Sequence, residues 1–197
     1  FWNVDAFTLY DFEVNAQGWS SIGGSGSNNF SRTTTAGSAV SGSYSISDGN
    51  LINRDASHGL KTMRSPEFNL NSDAEITFYL TGGSGRVSVS SNFSSVPSDF
   101  IGLCLRDASA NSASYGEYIA HSLKSYDSSS WEFKRLTSSD VFGGSGYPHT
   151  GPFTLDLIDN RSLGYGWIGL DYVKIPKFSE SLSNMFNGAT AFQTRFY

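Results

Sequence analysis

The sequence predicts an all-β fold, a two-sheet antiparallel jelly-roll sandwich, on three observations. Short runs alternate apolar and polar residues along much of the 197-residue chain, the two-residue period of half-buried strands. Clusters of Gly, Ser, Asn and Asp break these runs every 8–12 residues or so, the spacing of sandwich strands. A sustained helical period is missing up to the C-terminal stretch.

Ten strands are predicted in order: Thr8–Val14, Tyr44–Ile46, Gly59–Met63, Ala74–Leu80, Arg86–Ser90, Ile101–Asp107, Glu117–His121, Trp131–Leu136, Phe153–Asp159 and Trp167–Ile175. Four carry the clearest alternation. Ile76, Phe78 and Leu80 share a face opposite Glu75, Thr77 and Tyr79. Ile101, Leu103 and Leu105 oppose Gly102, Cys104 and Arg106, and Phe153, Leu155 and Leu157 oppose Thr154, Asp156 and Ile158. In the last run Trp167, Gly169, Asp171, Val173 and Ile175 oppose Ile168, Leu170, Tyr172 and Lys174. So many short strands close most simply as two packed sheets, each with one face inward. Residues 1–176 form the sandwich domain. Pro176 ends it, and residues 177–197 are a C-terminal extension or the start of a following repeat module. Within it Phe178–Ala191 suits a short helix, capped by Ser179 or Ser181 and ended by Gly188.

Composition narrows function. Thirteen Lys and Arg against 18 Asp and Glu give a net charge of −5, the wrong sign for a nucleic-acid partner. No apolar run reaches the ~18 residues of a membrane span. The one cysteine, Cys104, sits in an apolar run and reads as a core residue. Gly-Gly-Ser-Gly recurs at Gly23, Gly82 and Gly143, but the flanks differ, so these are three loops and not a repeat. No leader segment is visible before Phe1-Trp2-Asn3, so the start reads as processed or cut from something longer.

Four pieces in order carry a resemblance. They are Asp11-Phe12-Glu13 followed by Gly18-Trp19; Gly59 to Leu70 with Ile76-Thr77-Phe78 and Gly82-Gly83; Ile101 to Asp107 with Trp131 beyond; and Leu157 to Asn160 followed by Gly164 to Ile175. This order resembles the galactose-binding-like and concanavalin-like jelly-roll modules of secreted glycoside hydrolases and adhesins. The nearest likeness is to levanase-type fructan-binding and MAM-like modules, over roughly Leu9 to Pro176. In the tail, Leu182 to Phe192 resembles one "MF-x-GA-x-x-F" unit of BspA-like surface proteins. The resemblance implies an extracellular or cell-surface module whose partner is a glycan or polysaccharide. It also implies a structural Ca2+ between the opening and closing strands, on Asp11, Glu13 and Asp171; calcium needs several oxygen ligands, usually with at least two carboxylates.

Sugars are held by aromatic faces and by planar polar groups that reach pairs of hydroxyls. The candidate ligand-binding residues are Arg106, Asp107, Trp131, Arg135, Tyr147, Asp159, Asn160, Arg161, Tyr165 and Trp167, with Tyr115 and Tyr118 as further aromatics on loop-rich segments. Each aromatic has a competing role in the core. No catalytic residue is assigned: His58, His121 and His149 lie in unrelated segments, and neither G-x-S-x-G nor H-E-x-x-H occurs. His149, in a turn-rich loop, is expected to face solvent. The leading expectation is a non-catalytic carbohydrate-binding or adhesion module. The alternative is a structural subunit that packs neighbouring protein subunits through its sandwich faces and the aromatic tail of Phe186, Phe192, Phe196 and Tyr197.

Overall fold

The computed structural model describes residues 7–23, 29–34, 39–48, 59–85, 87–161, 164 and 166–179. These residues build two antiparallel sheets. One contains β1 (Phe7–Tyr10), β3 (Ser31–Thr33), β4 (Ser45–Ser47), β6 (Glu75–Gly82), β9 (Ser128–Thr137) and β11 (Ile168–Pro176). Its order is β3-β4-β11-β6-β9, with β1 also paired to β11. The other contains β2 (Ser20–Ser21), β5 (Lys61–Arg64), β7 (Ile101–Asp107), β8 (Tyr118–Ser122) and β10 (Phe153–Asp159), in the order β2-β5-β10-β7-β8. The expected β-sandwich is therefore present. A single 3-10 turn, Ser138–Asp140, is the only helical element among the described residues.

The alternating residues make the core. Ile76, Phe78 and Leu80 of β6 and Ile168, Leu170, Val173 and Ile175 of β11 join one buried cluster with Leu103 and Leu105 of β7 and Phe153, Leu155 and Leu157 of β10. Each such side chain contributes about 1.5–3 kcal/mol by leaving water. Trp19 closes one end, meeting Tyr10 and Phe12 edge-on at 5.8 and 5.9 Å.

Strands β7 and β10 have the predicted limits, but other elements differ for local reasons. The first strand stops at Tyr10, because Phe12 turns the chain with φ 58°. Asp11 and Glu13 thus lie in a turn and not on one strand face. In β11 the pairing with β6 shifts between Asp171 and Lys174. One extra residue enters there, with Tyr172 at φ 52°, a bulge that resets the alternation. Ile168 and Leu170 before it, and Val173 and Ile175 after it, all face the core; the predicted single face does not run through. Of the strand expected at Arg86–Ser90, residues 87–90 are irregular. Val89 there packs with Phe93, Val96 and Leu123 on a second cluster of Phe100, Cys104, Tyr118 and Ile158. The expected helix and the surface-protein repeat fall mostly on residues 180–197, outside the described residues.

Candidate functional site

Two places gather charged side chains that a packed sandwich does not itself require. The first is where the edge of β11 changes partner. Gly169 and Leu170 pair with β4, and Val173 to Pro176 pair with β1. The bulge at Asp171 and Tyr172 lies between, and the chain from Val40 to Tyr44 folds over it. Asp171 is buried and accepts the amides of Val40 at 2.8 Å, Ser41 at 3.3 Å and Tyr172 at 2.7 Å. Glu13 accepts those of Ser43 at 3.0 Å and Tyr44 at 2.8 Å. Asp11 accepts the Glu13 amide at 3.3 Å. Burial pushes the Asp171 carboxyl up to about 6, with the negative charge of Glu13 adding to the rise and the three amides opposing it. Arg32 brings a positive charge to the junction, donating to the carbonyls of Phe12 and Glu13 at 2.5 Å each. The three expected calcium residues thus occur around one junction. Among the described residues, no three His, Cys, Asp or Glu side chains already stand together as a metal cage. Each carboxylate oxygen has about two acceptor positions, so the amides leave acceptor capacity on Glu13 and Asp171 for a cation.

The second place is the outer face of the five-stranded sheet. Core residues of β10 alternate with Thr154, Asp156 and Ile158, which face the other way. The ladder sets Ser20, Arg64, Asp156, Cys104 and His121 in one row across all five strands. Within it Arg64 holds Asp156 with two parallel bonds, Nε to Oδ1 at 2.8 Å and Nη2 to Oδ2 at 2.7 Å. The Tyr118 hydroxyl donates to the same Oδ2 at 2.9 Å. Asp156 is fully buried, while the Arg64 side chain is 27% exposed, so the carboxylate aims a guanidinium that still reaches water. Burial, reinforced by the Asp156 charge, pushes the Tyr118 phenol up and keeps it a donor. In the neighbouring row Thr154 pairs with Arg106, and Arg106 with Tyr118. The Arg106 guanidinium lies 5.9 Å from the ring of Tyr115, which is 56% exposed. The segment 87–100 covers the Ile158 end of this face through the second apolar cluster.

The other sequence-predicted binding residues are dispersed. Asp107 is buried below the following loop, accepting Ser109 N at 2.8 Å and Ser114 Oγ at 2.6 Å. It also binds His149 Nε2 at 2.9 Å. That histidine does not face solvent as expected: it stacks on Phe153 at 4.9 Å, and its Nδ1 accepts the Gly151 amide. The neutral ring therefore carries its proton on Nε2 and gives it to Asp107. Tyr147 packs on Phe153 and donates its hydroxyl to Ala74 O at 3.0 Å. Asn160 donates to the carbonyls of Val96 and Pro97, pinning the 87–100 segment. Arg161 is buried on Asp127. Asp159 is buried beside Asp48, and burial with that neighbour's charge keeps its carboxyl protonated far above the usual range. Trp167 is buried, whereas Trp131 and Arg135 lie on β9 of the opposite sheet. Tyr165 lies outside the described residues. Of the predicted binding residues Arg106 stands on the outer face described above, together with the further candidate aromatics Tyr115 and Tyr118. Sequence reasoning did not single out Arg64 and Asp156, which are 92 residues apart.

No protein-family model matches the sequence, and no curated protein matches it. Solved structures do. The fold is similar to the family 11 carbohydrate-binding module of the cellulosomal cellulase Lic26A-Cel5E of Clostridium thermocellum, with TM-score 0.50 and 13% identity over 89% of this chain and 96% of that one. The chain has the β-sandwich fold of that module. A family 11 module from the same organism, in complex with a β-1,3-1,4-mixed-linked tetrasaccharide, gives TM-score 0.48 and 12% identity over 89% and 98%. A cleaved adhesin domain of Lys-gingipain from Porphyromonas gingivalis gives 0.49 and 17% over 87% and 98%. At these identities the likeness establishes fold alone. No helix among the described residues is long and apolar enough to cross a membrane.

Proposed function

We propose that this chain is a non-catalytic module of an extracellular or surface protein that binds a polysaccharide on the outer face of its five-stranded sheet. The observation that carries this reading is the Arg64–Asp156–Tyr118 network beside Arg106 and exposed Tyr115. Sugars present hydroxyls in adjacent pairs. Arg64 spends two of its donors on Asp156 and keeps the others for a ligand. Tyr115 offers a face for the C–H side of a pyranose or furanose ring. The resemblance to levanase-type and MAM-like modules supports the same class of partner.

A structural Ca2+ on Asp11, Glu13 and Asp171 belongs to this reading. It would neutralise two acidic groups crowded at the bulge and fasten β1 to β11; it takes no part in holding the sugar. The test is a glycan array with the purified chain, in Ca2+ and again in EDTA, alongside Arg64→Gln and Tyr115→Ala. Saturable binding that both substitutions weaken supports the reading. Absence of binding in both buffers, or binding indifferent to both substitutions, overturns it.

A further inference from the structure

We propose that the outer face of the six-stranded sheet is a second glycan-binding surface, and that its ligand is an acidic polysaccharide built of uronic acid residues. This face is on the opposite side of the sandwich from the Arg64 network, so the inference does not depend on that network. In β6 the core takes Ile76, Phe78 and Leu80, which leaves Thr77 and Tyr79 directed outward. Tyr79 pairs with Phe133 of β9, and their rings meet edge-on at 5.3 Å. Phe133 is 47% exposed, which is unusual for a large apolar side chain in mid-strand. Thr77 is the partner of Arg135 on one side and of Lys174 on the other. The bulge in β11 brings the Tyr172 ring within 4.9 Å of the Lys174 ammonium, which also lies 5.0 Å from Phe7.

Two parallel rows result. The aromatic one runs Tyr79 to Phe133, with buried Asp171 as the β11 partner of Tyr79 and the Tyr172 ring lying toward Lys174. The cationic one runs Lys174, Thr77, Arg135. Same-face residues two apart on a strand are separated by roughly 6.5–7 Å, and Lys174 and Arg135, one strand to each side of β6, by roughly 9.5 Å at the backbone. A sugar chain laid along the aromatic row stacks its C–H faces there and directs its substituents toward the cations. A neutral sugar gives those cations only hydroxyls. A uronate gives each a carboxylate, and for Arg135 a planar one that matches its donor fork.

The charge distribution favours the anion. The chain is net −5, yet the solvent-facing part of this face sets Arg135 and Lys174 against Glu75, while Asp171, the ladder partner of Tyr79, is buried and held by the amides of Val40 and Ser41. The Arg135–Glu75 pair is long, 3.4 Å, with side chains 60% and 41% exposed. Such a pair contributes little, so an incoming carboxylate displaces it readily.

The test uses the full chain with polygalacturonate and alginate, each also in carboxyl-reduced form, by affinity electrophoresis and calorimetry at low and at physiological salt. We expect at least one polyuronate to bind. Its reduced form should bind about tenfold more weakly, and salt should weaken the acidic polymer selectively. Arg135→Gln and Phe133→Ala should each lower affinity about five- to tenfold. Both positions are exposed, so a Tm equal to wild type confirms that the variants fold. Failure of both polyuronates to bind, equal binding of the reduced polymers, or loss of binding in Arg64→Gln but not in Arg135→Gln would each overturn the proposal.

Discussion

Replacing Asp127 with alanine removes the anion from a guanidinium that has almost no water to turn to. The Arg161 side chain is 1% exposed and makes two bonds to Asp127, at 2.8 and 3.0 Å, with one weak contact to Ser84 O at 3.4 Å. Asp127 also accepts from the amide and hydroxyl of Ser84, at 2.7 and 2.9 Å. The Arg161 guanidinium, with these bonds, holds the Asp127 carboxyl well below the usual range. Breaking a buried pair by removing one partner costs about 3–5 kcal/mol. Asp127 itself is partly exposed, at 21%, which points to the low end, about 3 kcal/mol. For a chain of this size that is a Tm loss of about 6–12 °C. Asp127→Ala with Arg161→Met removes the unpaired guanidinium and should be less destabilised than Asp127→Ala alone. Urea denaturation followed by tryptophan fluorescence measures all of these variants. A loss below about 1 kcal/mol for Asp127→Ala, or a double variant weaker than that single one, would refute the reasoning. The result also bears on function, because a sugar-binding Arg161 would lose affinity on substitution with its stability intact.

Three further outcomes follow from the structure. Gly82 has φ 101°, and a Cβ there would stand 2.4 Å from the Trp167 carbonyl oxygen; Gly82→Ala should cost about 2 kcal/mol or more in chemical denaturation. Asp159 titrates higher in the fold than in the unfolded chain, so its stabilising contribution is full below about pH 4 and is lost as pH rises. Asp159→Asn should therefore gain stability relative to wild type between pH 5 and pH 8, and a difference constant with pH would show that Asp159 is ionised throughout. If calcium joins Glu13 and Asp171, a hundredfold excess over its Kd should stabilise the chain by about 2.7 kcal/mol; scanning calorimetry in Ca2+ and EDTA should show this for wild type and not for Asp171→Asn.

The sandwich was legible wherever a strand is long and one-sided. Phe153, Leu155 and Leu157 announce their shared face without help from any partner. Strands β2 and β3 were not legible, since Ser20–Ser21 and Ser31–Thr33 are too short and too polar to show a period. The β11 bulge escaped because the residue at φ 52° is a tyrosine, and no local signal marks a tyrosine for that conformation. The carboxylate junction was approached only through family resemblance; its wrapping by Val40 to Tyr44 depends on contacts about 130 residues apart. The Arg64–Asp156 pair was hidden for a similar reason. Asp156 sits in an alternating strand where a polar residue is expected, and its partners Arg64 and Tyr118 come from strands remote in the sequence.

Strand order has a consequence for biosynthesis. β10 is the middle strand of one sheet and β11 the middle strand of the other, yet they are the last two strands among the described residues. On a ribosome, neither sheet can close until residues 153–176 have emerged. Until then β4, β5, β6 and β7 each carry an unpaired edge, the kind of surface that invites pairing between chains. Folding of the sandwich therefore waits on this segment, governed by long-range closure and slow for its size. It favours a cell that keeps the nascent chain apart from its copies until synthesis has passed Pro176.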